Sequence, residues 1–215
     1  MLTSPTHPTG DRYEGIFRNG KLEGSKGIYT WVKEGQRKYA GGWADGKPHG
    51  EGIYRGEDGR KYAGGFVDGK KHGKGTEECV ESGQKYVGAF ADDKKHGKGT
   101  FTSFGGRQMY VGEWRGGKMH GKGMFAFLSG NKYVGAFAED KRHGMGTAVR
   151  ASGEAEVSEF NMGRFTGEGA QWSSDRRRAF RLKDGEKGDE ISLAEAAQIA
   201  GRLGLPAPVT GPVPP

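Results

Sequence analysis

The apolar positions of this chain recur in a short fixed frame. A tyrosine is followed two residues later by glycine and four residues later by a second aromatic ring, and the frame returns every 23 to 26 residues. The tyrosines are Tyr13, Tyr39, Tyr62, Tyr86, Tyr110 and Tyr133; the second rings are Phe17, Trp43, Phe66, Phe90, Trp114 and Phe137. Between them stand Gly15, Gly41, Gly64, Gly88, Gly112 and Gly135, and seven residues past the second ring stand Gly24, Gly50, Gly73, Gly97, Gly121 and Gly144. A seventh, worn copy runs through Phe160, Gly163, Gly167 and Gly169, with Glu156 in the tyrosine place and Ser158 in that of the first glycine. Self-similarity at this period marks a repeat array.

Rings at i and i+4 share one face of a strand, or lie one turn apart on a helix. Glycine decides between them. The 42 glycines among 215 residues would each cost a helix interior about 1 kcal/mol relative to alanine, so the spacing predicts strands. Each unit carries two turn signals, one after the aromatic strand (Asp45-Gly46, Asp68-Gly69, Gly116-Gly117) and one before the next tyrosine (Asp58-Gly59, Ser82-Gly83, Ser129-Gly130). Both read as hairpin turns with positive φ. Asp93 and Asp140 replace the first turn's glycine in two copies, and aspartate tolerates the left-handed region better than most residues. The expected fold is all-β: an elongated single-layer antiparallel ribbon of hairpin repeats, about 10 Å of sheet per unit and on the order of 65 to 70 Å for seven. The column of tyrosines and second rings is its core.

The frame Tyr-x-Gly-x-Phe/Trp-x-x-Gly-Lys-x-His-Gly-x-Gly resembles the MORN repeat. The resemblance runs over residues 13–169, about three quarters of the chain. It implies the hairpin ribbon with high specificity and function with little. The first copy departs from the pattern, with Gly24-Ser25-Lys26-Gly27 for Gly-x-Gly and Glu23 in the histidine place, an irregularity that a terminal repeat tolerates.

Five segments are expected. Residues 1–12 form a polar N-terminal stretch without the apolar run of a signal peptide, and 13–169 form the repeats. Residues 170–190 form a partial repeat or edge cap, since an open sheet edge recruits strands unless covered. Residues 191–204 hold a helix: Ser192 and Glu195 make a capping box, and Gly204 and Pro206 stop it. Leu193, Ala196, Ala200 and Leu203 share a face with Ile199 beside them. At this length the helix must dock, either capping the seventh repeat or inserting into a partner, with Leu193, Ile199 and Leu203 as contacts. Residues 205–215, with five prolines between Pro206 and Pro215, read as a polyproline-like tail.

Composition adds little that the repeat does not already say. A hydrophobic fraction of 33% suits a thin ribbon better than a two-layer core. No stretch reaches the roughly 18 apolar residues of a membrane span. Cys79 is the lone cysteine, so no intrachain disulfide forms, and a cytosolic or cytoskeletal setting is expected.

Candidate chemistry is sparse. His49, His72, His96, His120 and His143 recur at one repeat position. Equivalent places in successive hairpins lie about 10 Å apart, too far to share one metal ion. Residues Gly116 to Lys122 match the opening of a phosphate-binding loop, but Gly123 stands where Ser or Thr must bind magnesium. No catalytic set follows from spacing, so no cofactor, no metal and no enzyme activity are expected.

Two surfaces remain. Lys70, Lys71, Lys94, Lys95, Lys118, Lys122, Lys141 and Arg142 occupy matching places, and the net charge is +7. This basic stripe reads as a solvated edge, an acidic-protein site or an anionic membrane site, and nucleic acid is not the expected partner; Asp68, Asp92, Asp93, Glu139 and Asp140 offset part of its field. The second surface is the aromatic groove of Tyr39, Trp43, Tyr62, Phe66, Tyr86, Phe90, Tyr110, Trp114, Tyr133 and Phe137, expected to accept a partner segment in part. Through the family resemblance, ciliary and flagellar radial-spoke-head proteins, junctophilins, plant phosphatidylinositol-phosphate kinases and parasite basal-complex scaffolds share such repeats. The chain is similar to the short, nearly all-repeat radial-spoke type. The resemblance therefore implies a structural protein of the axoneme with structural-protein partners, pairing with another MORN protein among them. A peripheral scaffold on phosphoinositides is the alternative.

Overall fold

The computed structural model describes residues 10–32 and 37–208. The first nine residues of the polar segment, and the proline-rich tail beyond residue 208, lie outside the described residues. The chain forms two compact units, residues 1–106 with 115–117, and residues 107–114 with 118–215.

The first unit holds eight strands: β1 (Arg12–Arg18), β2 (Lys21–Trp31), β3 (Arg37–Ala44), β4 (Lys47–Arg55), β5 (Arg60–Val67), β6 (Lys70–Cys79), β7 (Gln84–Ala91) and β8 (Lys94–Ser103). Each pairs antiparallel with the next in chain order. The reason lies in the turns. Asp45-Gly46, Asp68-Gly69 and Asp92-Asp93 all hold two successive positive φ angles, the primed two-residue turn whose twist matches the strands it joins. Where aspartate replaces glycine it is put to use. The Asp93 carboxylate accepts from the Lys71 N–H at 2.8 Å, and the Asp93 N–H donates to the Lys71 carbonyl at 3.1 Å. The turn of one hairpin is thereby clipped to the strand of the hairpin before it. The second signal, at Gly59 and Gly83, carries a single positive φ at glycine.

Register explains the glycines. Gly27, Gly41, Gly52, Gly64, Gly75, Gly88 and Gly99 stand directly across from one another from β2 to β8, a bare column crossing the strands. The tyrosine rings lie over it. A Cβ on Gly75 would come within 2.4 Å of the Tyr62 hydroxyl, and one on Gly52 within 2.4 Å of that of Tyr39. Each hydroxyl donates to the carbonyl three residues on: Tyr39 to Gly42 at 2.9 Å, Tyr62 to Gly65 and Tyr86 to Ala89 at 3.0 Å. The second ring stands edge-on between two tyrosines. Phe66 is 5.0 Å from Tyr39 and 5.1 Å from Tyr62, and Phe90 is 5.0 Å from Tyr62 and 5.1 Å from Tyr86, all near perpendicular, the favoured aromatic geometry. Because one contact is within a repeat and the other between repeats, the ladder fastens each hairpin to its neighbour.

The second unit repeats the plan with β9 (Gln108–Arg115), β10 (Lys118–Ala126), β11 (Lys132–Ala138), β12 (Lys141–Val149), β13 (Ala155–Asn161), β14 (Arg164–Trp172), β15 (Ala179–Lys183) and β16 (Glu186–Ile191) in chain order. Phe137 stands between Tyr110 at 5.1 Å and Tyr133 at 5.2 Å, and Asp140 clips to Met119 as Asp93 does to Lys71. Ser158 replaces glycine in the column, opposite Gly146. The segment expected as a partial repeat is a whole hairpin, β15 with β16, with Leu182 in the buried ring place. Arg176 holds its approach: the buried guanidinium donates to the carbonyls of Gly153 and Ser173 at 2.6 and 2.7 Å.

The helix α1 (Leu193–Arg202) follows β16, capped at Ser192, whose hydroxyl accepts the Glu195 N–H at 3.1 Å. Gly204 closes it with φ +66, and the bonds Gly204 N–H to Gly201 and Leu205 N–H to Ala200 complete a Schellman end. It folds back on the sheet rather than projecting. Ala196, Ile199 and Ala200 are buried against Val157, Ala170, Trp172 and Ala179, with Ile191, Leu203 and Leu205 around the rim. This corrects one expected contact. Leu193 is exposed, because the buried side of the helix centres on Ile199 and its first turn lies at the periphery of that side.

Candidate functional site

The ten rings of the expected groove are buried, from Tyr39 and Tyr110 at full burial to Trp114 at 7% exposure. They are core, not binding surface. A hollow of about 580 Å³ does lie above Tyr39, Tyr62 and Phe66, but its walls are Trp31, Arg37, Tyr54, Glu57, Lys71 and Glu77. The correction has a physical cause: the open rims of Tyr13, Tyr39 and Tyr62 in the first unit, and of Tyr110 and Tyr133 in the second, are occupied by the second ring of the following repeat, so the array consumes its own aromatic face.

The opposite face stays open. In the first unit the bare backbone of Gly52, Gly64, Gly75 and Gly88 floors a trough of about 850 Å³, edged by Ile53, Ala63, Thr76, Val87, Glu51, Lys74 and Lys98. Ile53 and Val87 are exposed there; in the second unit Val111 and Val134 are exposed at the place of Val87, and Met145 at that of Glu51, Lys74 and Lys98. These residues escaped the sequence reading, which followed the rings. The available signal was strand alternation: a residue next to a core tyrosine points to the other face, where an apolar side chain has no buried neighbour.

Strand alternation also splits the basic stripe in two. Lys70, Lys94, Lys118 and Lys141 are exposed beside the turns, and Lys70 pairs with Asp92 at 3.4 Å while Lys118 pairs with Glu139. Lys71, Lys95 and Arg142 point to the ring side. Lys71 lies 5.5 Å from the Tyr62 ring and 5.4 Å from Phe90 and is ion-paired with Glu77; Lys95 lies 4.5 Å from Phe101; Arg142 lies 4.3 Å from Phe160. Their stems roof the ladder, and their charges are held by ring faces. Lys122 belongs to neither row and occupies the repeat place of Lys74 and Lys98.

The histidines His49, His72, His96 and His143 are exposed, and it is the backbone at their position that packs; the His49 carbonyl would sit 2.2 Å from a Cβ on Gly42. His143 Nδ1 accepts from the Met162 N–H at 3.4 Å. No group of three or more metal-ligating side chains occurs among the described residues. A hydrogen bond with Ser82 holds the Cys79 thiol below its ordinary pKa. Among the described residues no helix is long and apolar enough to cross a membrane.

The family model for the MORN repeat matches residues 13–36, 39–59, 62–83, 86–106, 110–132 and 133–155. The chain belongs to the MORN-repeat family. These six matches are the six regular copies of the sequence frame, and MORN repeats as a class build scaffolds that bind proteins or membranes. The seventh hairpin, β13 with β14, lies beyond the matched residues, in keeping with its worn sequence. No curated protein matches the chain. Among solved structures the chain is similar to the TCP domain of SAS-4 (dCPAP) of Drosophila melanogaster, in complex with a proline-rich motif of Ana2 (dSTIL). The identity is 10% and the TM-score 0.45, over 89% of this chain and 96% of that one. A likeness at this level carries no functional weight.

Proposed function

We propose that this MORN-repeat chain is a non-enzymatic scaffold that holds a protein partner against the glycine-floored face. The observation that carries the proposal is the trough itself: an apolar, uncovered strip with Ile53 and Val87 exposed on it. Monomeric surfaces scatter such residues singly, and contiguous ones mark contact sites. Lys74 and Lys98 at its edge favour a partner segment with apolar residues flanked by acidic ones. The axonemal setting rests on the resemblance to short radial-spoke proteins. The phosphoinositide reading draws on the basic stripe, but Lys70 and Lys118 of that stripe already have carboxylate partners, which weakens the field a membrane would meet.

The test is affinity capture of the tagged full chain from ciliated cells, with quantitative mass spectrometry and parallel sedimentation with phosphoinositide vesicles. Axonemal proteins should be enriched by the native chain and lost with Ile53→Glu plus Val87→Glu, while Tyr54→Ala on the ring side retains them. Vesicle binding abolished by Lys74→Glu plus Lys98→Glu, with no axonemal protein recovered, would transfer the function to the membrane.

A further inference from the structure

The ring ladder of the first unit ends unfinished. Trp43 stands between Tyr13 at 5.6 Å and Tyr39 at 5.1 Å, and Phe66 and Phe90 are clasped in the same way; these three rings are 3 to 5% exposed. Phe17 has a tyrosine on one side only, Tyr13 at 5.1 Å, and is 46% exposed, with Ile16 beside it at 57%. Its strand, β1, pairs with β2 alone, so among the described residues its outer backbone edge is unpaired. Such an edge is a template for another strand.

The inner copies show what that strand must offer. On the corresponding edge, β3 meets Gly27 across from Gly41, β5 meets Gly52 across from Gly64, and β7 meets Gly75 across from Gly88. An aromatic residue also stands across from the tyrosine in two of the three: Tyr29 from Tyr39 and Tyr54 from Tyr62. A strand for β1 therefore needs a glycine opposite Gly15 and suits a ring opposite Tyr13; opposite the second ring the inner copies carry glycine, Gly24 across from Trp43, Gly50 from Phe66 and Gly73 from Phe90. One sequence that meets the first two conditions, with a ring in place of the third, is β1 itself. Arg12-Tyr13-Glu14-Gly15-Ile16-Phe17-Arg18 reads nearly the same in either direction about Gly15: arginine, ring, glycine, ring, arginine.

We propose that two copies of this chain pair antiparallel through β1 about a twofold axis at Gly15. In that register Gly15 faces Gly15, and Tyr13 of each copy faces Phe17 of the other. Directly opposed residues of an antiparallel pair share a face, so Phe17 gains a second tyrosine from the other copy, met directly across the pair and not over a glycine as in the inner copies. On the other face Arg12 opposes Arg18 of the second copy, with Glu14 diagonal to that same Arg18. The opposed arginines are the unfavourable element of the pairing, and they give it a signature.

Sedimentation equilibrium of the untagged full chain tests it, with circular dichroism as the control for folding. The native chain should sediment as a dimer and Phe17→Lys as a folded monomer, since the ring it replaces is half exposed. Arg18→Glu should do the reverse. By placing a carboxylate opposite Arg12 twice per dimer, it should tighten association by about threefold, the gain being offset in part by the new carboxylate's diagonal to Glu14, and added salt should remove it. Glu186→Lys, on the opposite terminal strand β16, should change nothing. A native chain that sediments as a monomer at tens of micromolar overturns the proposal. So does one that becomes dimeric only after deletion of residues 1–9, because its own N-terminus then covers the edge. Association that survives Phe17→Lys, weakens with Arg18→Glu or breaks with Glu186→Lys overturns it in favour of another surface or a head-to-tail contact.

Discussion

Each core tyrosine answers three demands at once: a flat ring over the bare column, a hydroxyl that donates to a carbonyl three residues on, and edges that receive the second rings on either side. Sequence showed the first and third because they fix residue types, glycine beneath and an aromatic four places along. It could not show that the rings would be sealed, because the ring that closes over Tyr39 is Phe66 of the following repeat, a contact made across the sheet rather than along the chain. Sealing has a measurable effect on ionisation. Loss of hydration on burial pushes Tyr39, Tyr86, Tyr110 and Tyr133 up to about 12, and Tyr62 in the same direction. Glu51 adds to the rise at Tyr39, and Glu113 to that at Tyr110. In the unfolded chain the same groups ionise near 10. The folded state therefore keeps protons that the unfolded state releases. This contribution to stability is whole below pH 10 and falls as pH rises from 10 towards 12, by about 1.4 kcal/mol per unit for each such tyrosine. Urea unfolding at a series of pH values should show a midpoint that is steady up to pH 9 and drops steeply above 10, with tyrosinate absorbance appearing only as the chain unfolds. Full ionisation of the tyrosines near pH 10 in a chain that stays folded would contradict the sealed ladder.

At the scale of elements, hairpins and helix differ in how much their sequence discloses. The hairpins are legible because their turns demand particular residues, down to Asp93 and Asp140, which keep the left-handed turn and add a carboxylate clip to the strand before. The helix is legible in its ends, Ser192 with Glu195 at one and Gly204 at the other, and only partly in its buried side. That side is mostly alanine, which packs closely without announcing itself, and sequence alone left cap and partner contact both open. With α1 lying on Trp172 and Ala179, substitutions there should act on stability and not on capture of a partner. Ile199→Ala removes a side chain that is 1% exposed and should cost about 2 to 4 kcal/mol. Ser192→Ala, which deletes the cap, should cost about 1 kcal/mol, and Leu193→Ala, at an exposed position, less than about 0.5 kcal/mol. Chemical denaturation of the three variants gives the ranking. A Leu193→Ala loss as large as that of Ile199→Ala would mean that the helix docks by a different side.

Across the molecule, a repeat array is stabilised by nearest-neighbour contacts, so its stability is set hairpin by hairpin, and its ends decide where opening begins. In the first unit the hairpin β1–β2 has a neighbour on one side, an exposed second ring in Phe17, and a register shift at Gly24/Gly27 in its pairing with β3, where the inner hairpins pair with the next without one. The hairpin β5–β6 has neighbours on both sides and both of its rings sealed. In the second unit the terminal hairpin meets a different condition. There α1 covers β14 and β15, and Arg202 and Arg181 reach Glu168 at 2.8 and 3.7 Å. Exposed ion pairs of this kind add little, so it is the apolar cluster under the helix that protects the end. Hydrogen exchange on the dilute chain, where any association is suppressed, should therefore be unequal at the two ends. Amides of β1–β2 should exchange well before those of β5–β6, whereas those of β14–β15 should match the interior hairpins of their own unit. The Ile199→Ala variant should accelerate exchange in β14–β15 and leave β5–β6 untouched, because the stabilisation lost is local. Uniform acceleration across all hairpins would show that the array unfolds as one cooperative body, and that the ladder couples repeats more strongly than contacts between neighbours account for.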